Sequence, residues 1–430
     1  MRKVKFLLAA AALFLLPVVA SAAVVNVDCG NPSPPPGTFS SISAALSALS
    51  FIGPNTINVT GTCAESLNVT GYQNLIIQAT SLGAATISPS LPNNPAFSLT
   101  SSRLITFRRL ILQRGVRIGR DSEATLDNCT IEDSTGVGVI VGPQAIVTVF
   151  GSTIQNNAGT GLRANSNSSV ILGGNIPNQA VLITGNSGGG VSGDGSAIDL
   201  NGNVTVENNI GNGVSVTGGR INLAAPNADN IVRNNTGSGV VLQGSASATF
   251  FGQNTIQNNS VIGVLVLASS AQFSERVLPD ATVRATLIEG SLNSGITVAH
   301  SGHVTLQGRH KIRNNGSSTN CLSSVCAGVR AFNSSIFEIN NGVEITNNNG
   351  PGIYADMHAN ILVTTPVTIT GNTEDDIRLT LASGMLVLNG LPGNSIGSVV
   401  CEDTGFLSGE LGGISVIDCK NVIVQKKKIK

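Results

Sequence analysis

The sequence has 430 residues, 24 basic against 24 acidic, with 50 Gly, 44 Asn, 13 Phe, 2 Tyr and no Trp. Charged residues are 11% of the chain, well under the roughly 25% of an average soluble domain, and hydrophobic residues are 41%, mostly small or β-branched. This balance excludes disorder, excludes a nucleic-acid binder for want of positive charge and stacking aromatics, and disfavours an aromatic sugar cleft; a large all-β soluble chain remains.

Residues 1–23 read as a secretory signal. Arg2, Lys3 and Lys5 form the basic start, Phe6 to Ala20 the apolar run, and Ala20-Ser21-Ala22 a small-residue cleavage site. The run is too short for a membrane span. The protein is therefore expected to be secreted or periplasmic. Seven cysteines in an exported chain point to disulfides, and spacing offers Cys29–Cys63, Cys321–Cys326 and Cys401–Cys419, with Cys129 left as a buried small hydrophobe.

The Asn31–Gly37 stretch, with four prolines, is a loop. Ser40 to Leu49 then has helical spacing and a serine cap, so a short amphipathic helix is expected to cover the first turn of the fold beyond it.

Beyond the helix the chain repeats itself. An Ile or Val is followed seven residues later by Gly at Ile131, Ile154, Ile183, Val206, Val232, Ile256, Ile288 and Ile345, with an apolar residue next after each Gly. Ile369 fits with Asp376 in the Gly place, and Ile312 fits with Gly328 once residues near 316–326 count as an insertion. Three residues after the anchor stands Asn157, Asn186, Asn209, Asn235, Asn259, Asn315, Asn348 or Asn372. The base period is 23–24 residues, and longer insertions fall near 172–181, 269–283 and 316–326. Apolar residues alternate with period two, as in Val343-Glu344-Ile345, which means strands.

Three short strands and three turns fill such a repeat, and each coil lies on the last with its strands parallel. The recurrent Asn is expected to serve as a left-handed turn residue and to hydrogen-bond from coil to coil, and the Gly to clear a crowded bend. The coils are expected over 57–400, on the order of 13 of them at 4.8 Å each. That leaves a cap at 24–56 and a second cap with a basic tail at 401–430.

These features carry a resemblance. The cap helix, the Asn157-to-Asn372 ladder and the Ile/Val-x6-Gly-apolar repeats resemble the right-handed parallel β-helix superfamily, the pectate-lyase-like fold. The Asn55–Glu65 stretch is similar to the opening of uncharacterised secreted bacterial members. The fold implied is a single-stranded right-handed parallel β-helix over nearly the whole mature chain. The superfamily includes polysaccharide lyases, glycoside hydrolases, epimerases, adhesins and phage tailspikes, so the fold leaves the function open.

Chemistry is sparser. A lyase of this superfamily would need a carboxylate cluster for Ca²⁺ beside a basic residue, and Asp194 and Asp199 supply too few oxygens. A hydrolase would need a facing carboxylate pair, and Glu374-Asp375-Asp376 lies at a turn. His300, His303 and His310 fall within 11 residues, but His300 and His303 are expected in a turn rather than on one strand face and the histidines at turns or on the surface, so no metal or other cofactor is expected; Ca²⁺ enters only under the lyase alternative. Glu207 with Arg233 and Glu289 with Arg313 each follow an anchor by one residue and are expected to pair between coils.

One region is uneven. Arg103, Arg108, Arg109, Arg114, Arg117 and Arg120 are six of the 16 arginines within 18 residues, followed by Asp121, Glu123, Asp127, Glu132 and Asp133. Arginine grips carboxylates bidentately, so Arg108, Arg109, Arg114 and Arg117 are the candidate ligand-binding residues, against the plainer reading of charge-paired neighbouring coils. The sequence favours a non-catalytic, monomeric surface protein whose partner is a polysaccharide or cell surface. The alternatives are a lyase or hydrolase of acidic glycans, or an adhesin-like stalk.

Overall fold

The computed structural model describes residues 22–317, 321, 325–364, 366–388, 394–409, 411, 414–420 and 422–424. Nearly all of the N-terminal run expected as a signal, part of the 316–326 insertion and the basic tail lie outside the described residues. Among those described, 43 strands join in one continuous network of parallel neighbours, and the remaining two form a small antiparallel hairpin, Arg276–Val277 with Val283–Arg284. With three strands to a turn, 43 strands make about 14 coils and a rise of roughly 65 Å.

The register follows the apolar anchors. Ile131 pairs with Ile154, then Ile183, Val206, Val232 and Ile256 in succession. Ile256 continues the line through Ile288, Ile312, Ile345 and Ile369. All ten point inward and are at most 1% exposed. A one-residue slip would turn the whole column outward, so burial alone specifies this register. The strands Arg103–Arg108, Glu123–Asp127 and Ile146–Phe150 stack as a first face, the anchor strands form the second, and a third follows where Val139, Leu162, Val191 and Val214 stack in the same way. Rings stack in the interior, Phe250 on Phe273 with centroids 4.1 Å apart.

Pairing begins at Ala23, whose strand Ala23–Asp28 lies parallel to Asn55–Thr60, and it runs on to Val422–Val424. The period-two pattern Val25-Asn26-Val27 is strand-like, but adjacency to the leader hid it. The helix forms at Ile42–Ala48, capped by the Ser41 hydroxyl, which accepts from the Ala44 amide. The Glu65 carboxylate accepts from the Ile42 and Ser43 amides at 2.8 and 3.0 Å, placing negative charge at the helix N-terminus. Ile42, Ala45 and Leu46 are buried, so the helix lies on the first strands. Cys29–Cys63, Cys321–Cys326 and Cys401–Cys419 are disulfides.

The asparagines form a ladder, but not as turn residues. The left-handed backbone position is the residue before each of them: Asn156, Asn208, Asn234, Asn258, Asn314 and Asn347, with Gly185, Gly290 and Gly371 in the other coils. The ladder asparagines have ordinary φ and act through their amides. Nδ2 of each donates to Oδ1 of the next, Asn157 to Asn186, Asn209, Asn235 and Asn259, at 2.9–3.1 Å. Ser291 interrupts the run, which resumes from Asn315 to Asn348 and Asn372. Asp376 ends it. Its Oδ1 accepts from Asn372 Nδ2 at 2.8 Å and its Oδ2 from the Ser398 amide at 3.0 Å, so this residue is the ladder's terminal acceptor rather than only a turn residue.

The Gly seven places after the anchor answers a close approach. A Cβ on Gly213 would lie 2.5 Å from Val232 Cγ1 and 2.7 Å from the Gly239 carbonyl oxygen. The expected charge pairs are present: Arg233 Nε to Glu207 at 2.6 Å and Arg313 Nε to Glu289 at 2.8 Å. Replacing Arg233 with Glu sets two carboxylates on neighbouring rungs, with the Glu207 side chain only 16% exposed. A loss of about 1 kcal/mol in urea unfolding is the expected result.

Candidate functional site

At the corner between the second and third faces, strand Ile111–Gln113 turns through Arg114 and Gly115, both with positive φ, into Val116–Ile118. Arg114 can hold this left-handed position because its amide donates to the Glu132 carbonyl of the next coil at 3.0 Å. The same corner in the next three coils carries Asp133, Asn156 and Gly185, again with positive φ. The side chains of these corners are therefore aligned along the axis, and they border a shallow cleft of about 580 Å³ that reaches Ser187. A second trough of about 210 Å³ adjoins it on the third face, with Arg114 between the two, Arg117 at its side, Val137 and Ile140 in its lining, and Asn93 and Pro95 along its edge. The edge loop is tied down by the Thr135 hydroxyl, which donates to the Pro92 carbonyl at 3.3 Å.

The four candidate arginines divide. Arg108 sits on the first face and binds Asp127 at 2.7 Å. Arg109 donates to the Thr80 carbonyl and to Gln78 Oε1, both at 3.3 Å. These two hold coil to coil. Arg114 and Arg117 have no ion-pair partner among the described residues, and both face the trough. Glu132, a carboxylate of the next coil, accepts instead from Gln155 at 2.9 Å. The acidic neighbour left at the cleft is Asp133.

The other candidates are occupied structurally. Arg378 joins Glu374 at 3.2 Å and Asp375 at 2.8 Å. Asp199 lies 3.5 Å from Arg220, and only Gly195-Ser196 form the turn between the strands that carry Asp194 and Asp199. His300 is at a turn, but His303 begins the strand His303–Gln307 and lies 3.4 Å from Glu338. His310 is buried; its Nδ1 accepts from the Thr286 amide and its Nε2 faces the Gln307 carbonyl, each at 3.0 Å. Burial pushes its pKa down to about 4. Cys129 is buried too, and burial pushes its thiol up to about 12, which makes it unreactive. Cys29, Cys63 and Glu65 lie close together, but the two sulfurs are joined in a disulfide and Glu65 serves the helix.

Sequence reasoning missed a second cleft. It lies on the second face beside the hairpin Arg276–Arg284, has about 470 Å³, and is lined by Gln253, Thr286, Arg309, Lys311, Arg313 and Glu344. The insertion expected near 269–283 begins only after the regular strand Ser270–Ser274. The signal was there in Lys311-Ile312-Arg313, two cations flanking an inward anchor, and so both on the outer surface.

Residues 93–228 match the family model described as "Right handed beta helix region". No curated protein matches the sequence. Among solved structures, the A-module of mannuronan C-5 epimerase AlgE4 from Azotobacter vinelandii is 13% identical, with 90% of this chain and 92% of that one covered and a TM-score of 0.33. The catalytic unit of a GH87 α-1,3-glucanase from Streptomyces thermodiastaticus is 10% identical, with 95% and 70% covered and a TM-score of 0.31. PfbA, a surface adhesin of Streptococcus pneumoniae, is 10% identical, with 89% and 86% covered and a TM-score of 0.24. At such values none of these proteins says what this one does.

Proposed function

We propose that the chain, a parallel β-helix that matches the right-handed β-helix model over residues 93–228, is an exported, non-catalytic protein that binds acidic polysaccharide along the Arg114–Arg117 corner. The observation that carries this reading is the pair of guanidinium groups at the trough, Arg114 and Arg117, with no ion-pair partner among the described residues, whereas Arg108 and Arg109 close by in the chain are bonded to neighbouring coils. Guanidinium forks match the carboxylates of a uronate chain. Stacked corners repeat at roughly 4.8 Å, so the cleft offers an extended track rather than a closed pocket. Three disulfides fit an oxidising compartment. Among the described residues no helix is long and apolar enough to cross a membrane.

The test is retention of the exported chain on polygalacturonate and alginate, against a neutral glucan. Arg114→Ala with Arg117→Ala should cut affinity for the acidic polymers at least tenfold, and salt should weaken binding of the parent protein. Reducing ends or unsaturated products above a heat-killed control, with or without Ca²⁺, would replace the binding reading by the lyase or hydrolase alternative. Absence of both turnover and retention would leave the adhesin-like stalk.

A further inference from the structure

Four successive coils carry their charges in a fixed order. The first has Arg114 at the corner and Arg117 on the third face. The next has Asp133 at the same corner and Ile140 on the face. Asn156 and Arg163 take these places in the coil after it, and Gly185 and Ser192 in the fourth. Register fixes the column on the face: Arg117 pairs with Ile140, Ile140 with Arg163, and Arg163 with Ser192. Strand alternation fixes its direction. Val116, Ile118, Leu162 and Ala164 on either side are buried, whereas Arg117 and Arg163 are exposed.

Arg163 lies outside the arginine cluster of the sequence. Its guanidinium has no ion pair or hydrogen bond among the described residues, and Asp194, on the strand of Ser192, makes no ion pair with it. Arg117 and Arg163 are thus two such cations on one column, two rungs or roughly 10 Å apart. The coil between them has no Lys or Arg, since none occurs from 121 to 162. It offers the partly buried Ile140 on the face and the exposed Asp133, without an ion pair, at the corner.

Both hollows run along the solenoid axis. The shallow cleft takes Arg114, Asp133, Asn156 and Gly185 in turn, and the trough passes from Asn93 and Pro95 over Arg117 to Ile140. A polymer lying in them crosses one coil after another, and a pyranose of an extended chain advances by close to one coil rise. A carboxylate on the first sugar meets Arg114 and Arg117. On the second it would meet Asp133 and an apolar surface, and on the third it meets Arg163.

We propose that this track selects an alternating glycan, in which each uronate is followed by a sugar without a carboxylate. Arg114 and Arg117 hold one uronate and Arg163 the next. The intervening ring lies on Ile140, and Asp133, an acceptor only, takes a hydroxyl or acetamido N–H of that ring and repels a carboxylate. This rests on the acidic-polysaccharide reading and narrows it. The deciding experiment is calorimetric titration of the exported chain, at one salt concentration, with two hexasaccharides: hyaluronan, in which glucuronate alternates with N-acetylglucosamine, and oligoglucuronate, with a carboxylate on every sugar. The hyaluronan hexamer should bind about fivefold tighter despite its lower charge. Arg163→Ala should weaken it about tenfold, with an unchanged melting temperature because the side chain has no bond to lose. Asp133→Asn should strengthen oligoglucuronate about fivefold and leave hyaluronan unchanged. Equal or tighter binding of oligoglucuronate by the parent, an Arg163→Ala protein that keeps its hyaluronan affinity, an Asp133→Asn protein that gains nothing for oligoglucuronate, or no binding of either hexamer would overturn the proposal. The acidic-polysaccharide reading falls with it only if polygalacturonate and alginate are not retained either.

Discussion

Replacing Asn209 with alanine is expected to cost about 4 kcal/mol of unfolding free energy in urea. Asn209 is fully buried in the middle of the ladder. Its Oδ1 accepts from Asn186 Nδ2 at 2.9 Å and from the Asn186 amide at 3.0 Å. Its Nδ2 donates to Asn235 Oδ1, the Ile183 carbonyl and the Glu207 carbonyl at 3.0–3.1 Å. Truncation leaves the two Asn186 donors and acceptors on three successive coils, at Ile183, Glu207 and Asn235, one hydrogen bond short where water does not reach, each worth about 1–3 kcal/mol, offset in part by relaxation. Asn209→Asp keeps the acceptor and loses the donors, placing a carboxylate against three carbonyl oxygens, so it should be at least as damaging at neutral pH. A ladder residue that merely occupied a turn would tolerate both changes, and a loss under 1 kcal/mol would remove the ladder as a source of cohesion.

The second large effect is pH-dependent. Burial holds His310 near a pKa of about 4, against about 6.5 for an exposed imidazole. The unfolded chain therefore takes up the proton first. Stability is full above about pH 6.5, falls as pH drops towards 4, and levels off once both states are protonated. The gap corresponds to about 3 kcal/mol. Glu275 lies nearby and favours the imidazolium; its own pKa is lowered from 4.5, chiefly by the hydrogen bond from Arg309, so its carboxylate stays charged across most of the histidine's range and its own contribution is lost only below that. Comparing the parent with His310→Gln, which keeps an acceptor for the Thr286 amide, isolates the histidine. Unfolding free energies at pH 7 and pH 4 should converge for the variant relative to the parent; parallel pH curves would show that His310 is solvated.

The same buried imidazole shows why part of the molecule was hidden in the sequence. As one of three histidines in a short span, His310 reads as a turn or surface residue, yet it is enclosed between Thr286, Gln307 and Phe273. Thr286 arrives there from across the hairpin insertion, and no linear spacing reports that.

The sequence alone determined the coil and its register. Inward anchors such as Ile131, Ile154 and Ile183 recur at one position per repeat, and a buried column can stack in only one phase. The Glu207–Arg233 pair follows from the same periodicity, because neighbours in a solenoid are one repeat apart, while the cap helix and the disulfides were legible from local helical spacing and cysteine spacing. The tertiary structure decided what depends on a single residue's corner. It put the left-handed position on Asn208 rather than Asn209, since the amide of Asn209 has to point inward to bond three carbonyl groups. It separated Arg108 and Arg109, bonded between coils, from Arg114 and Arg117, exposed to the trough, although the four lie within ten residues. It also assembled the hairpin cleft, from insertions whose length varies and whose path the repeat does not constrain.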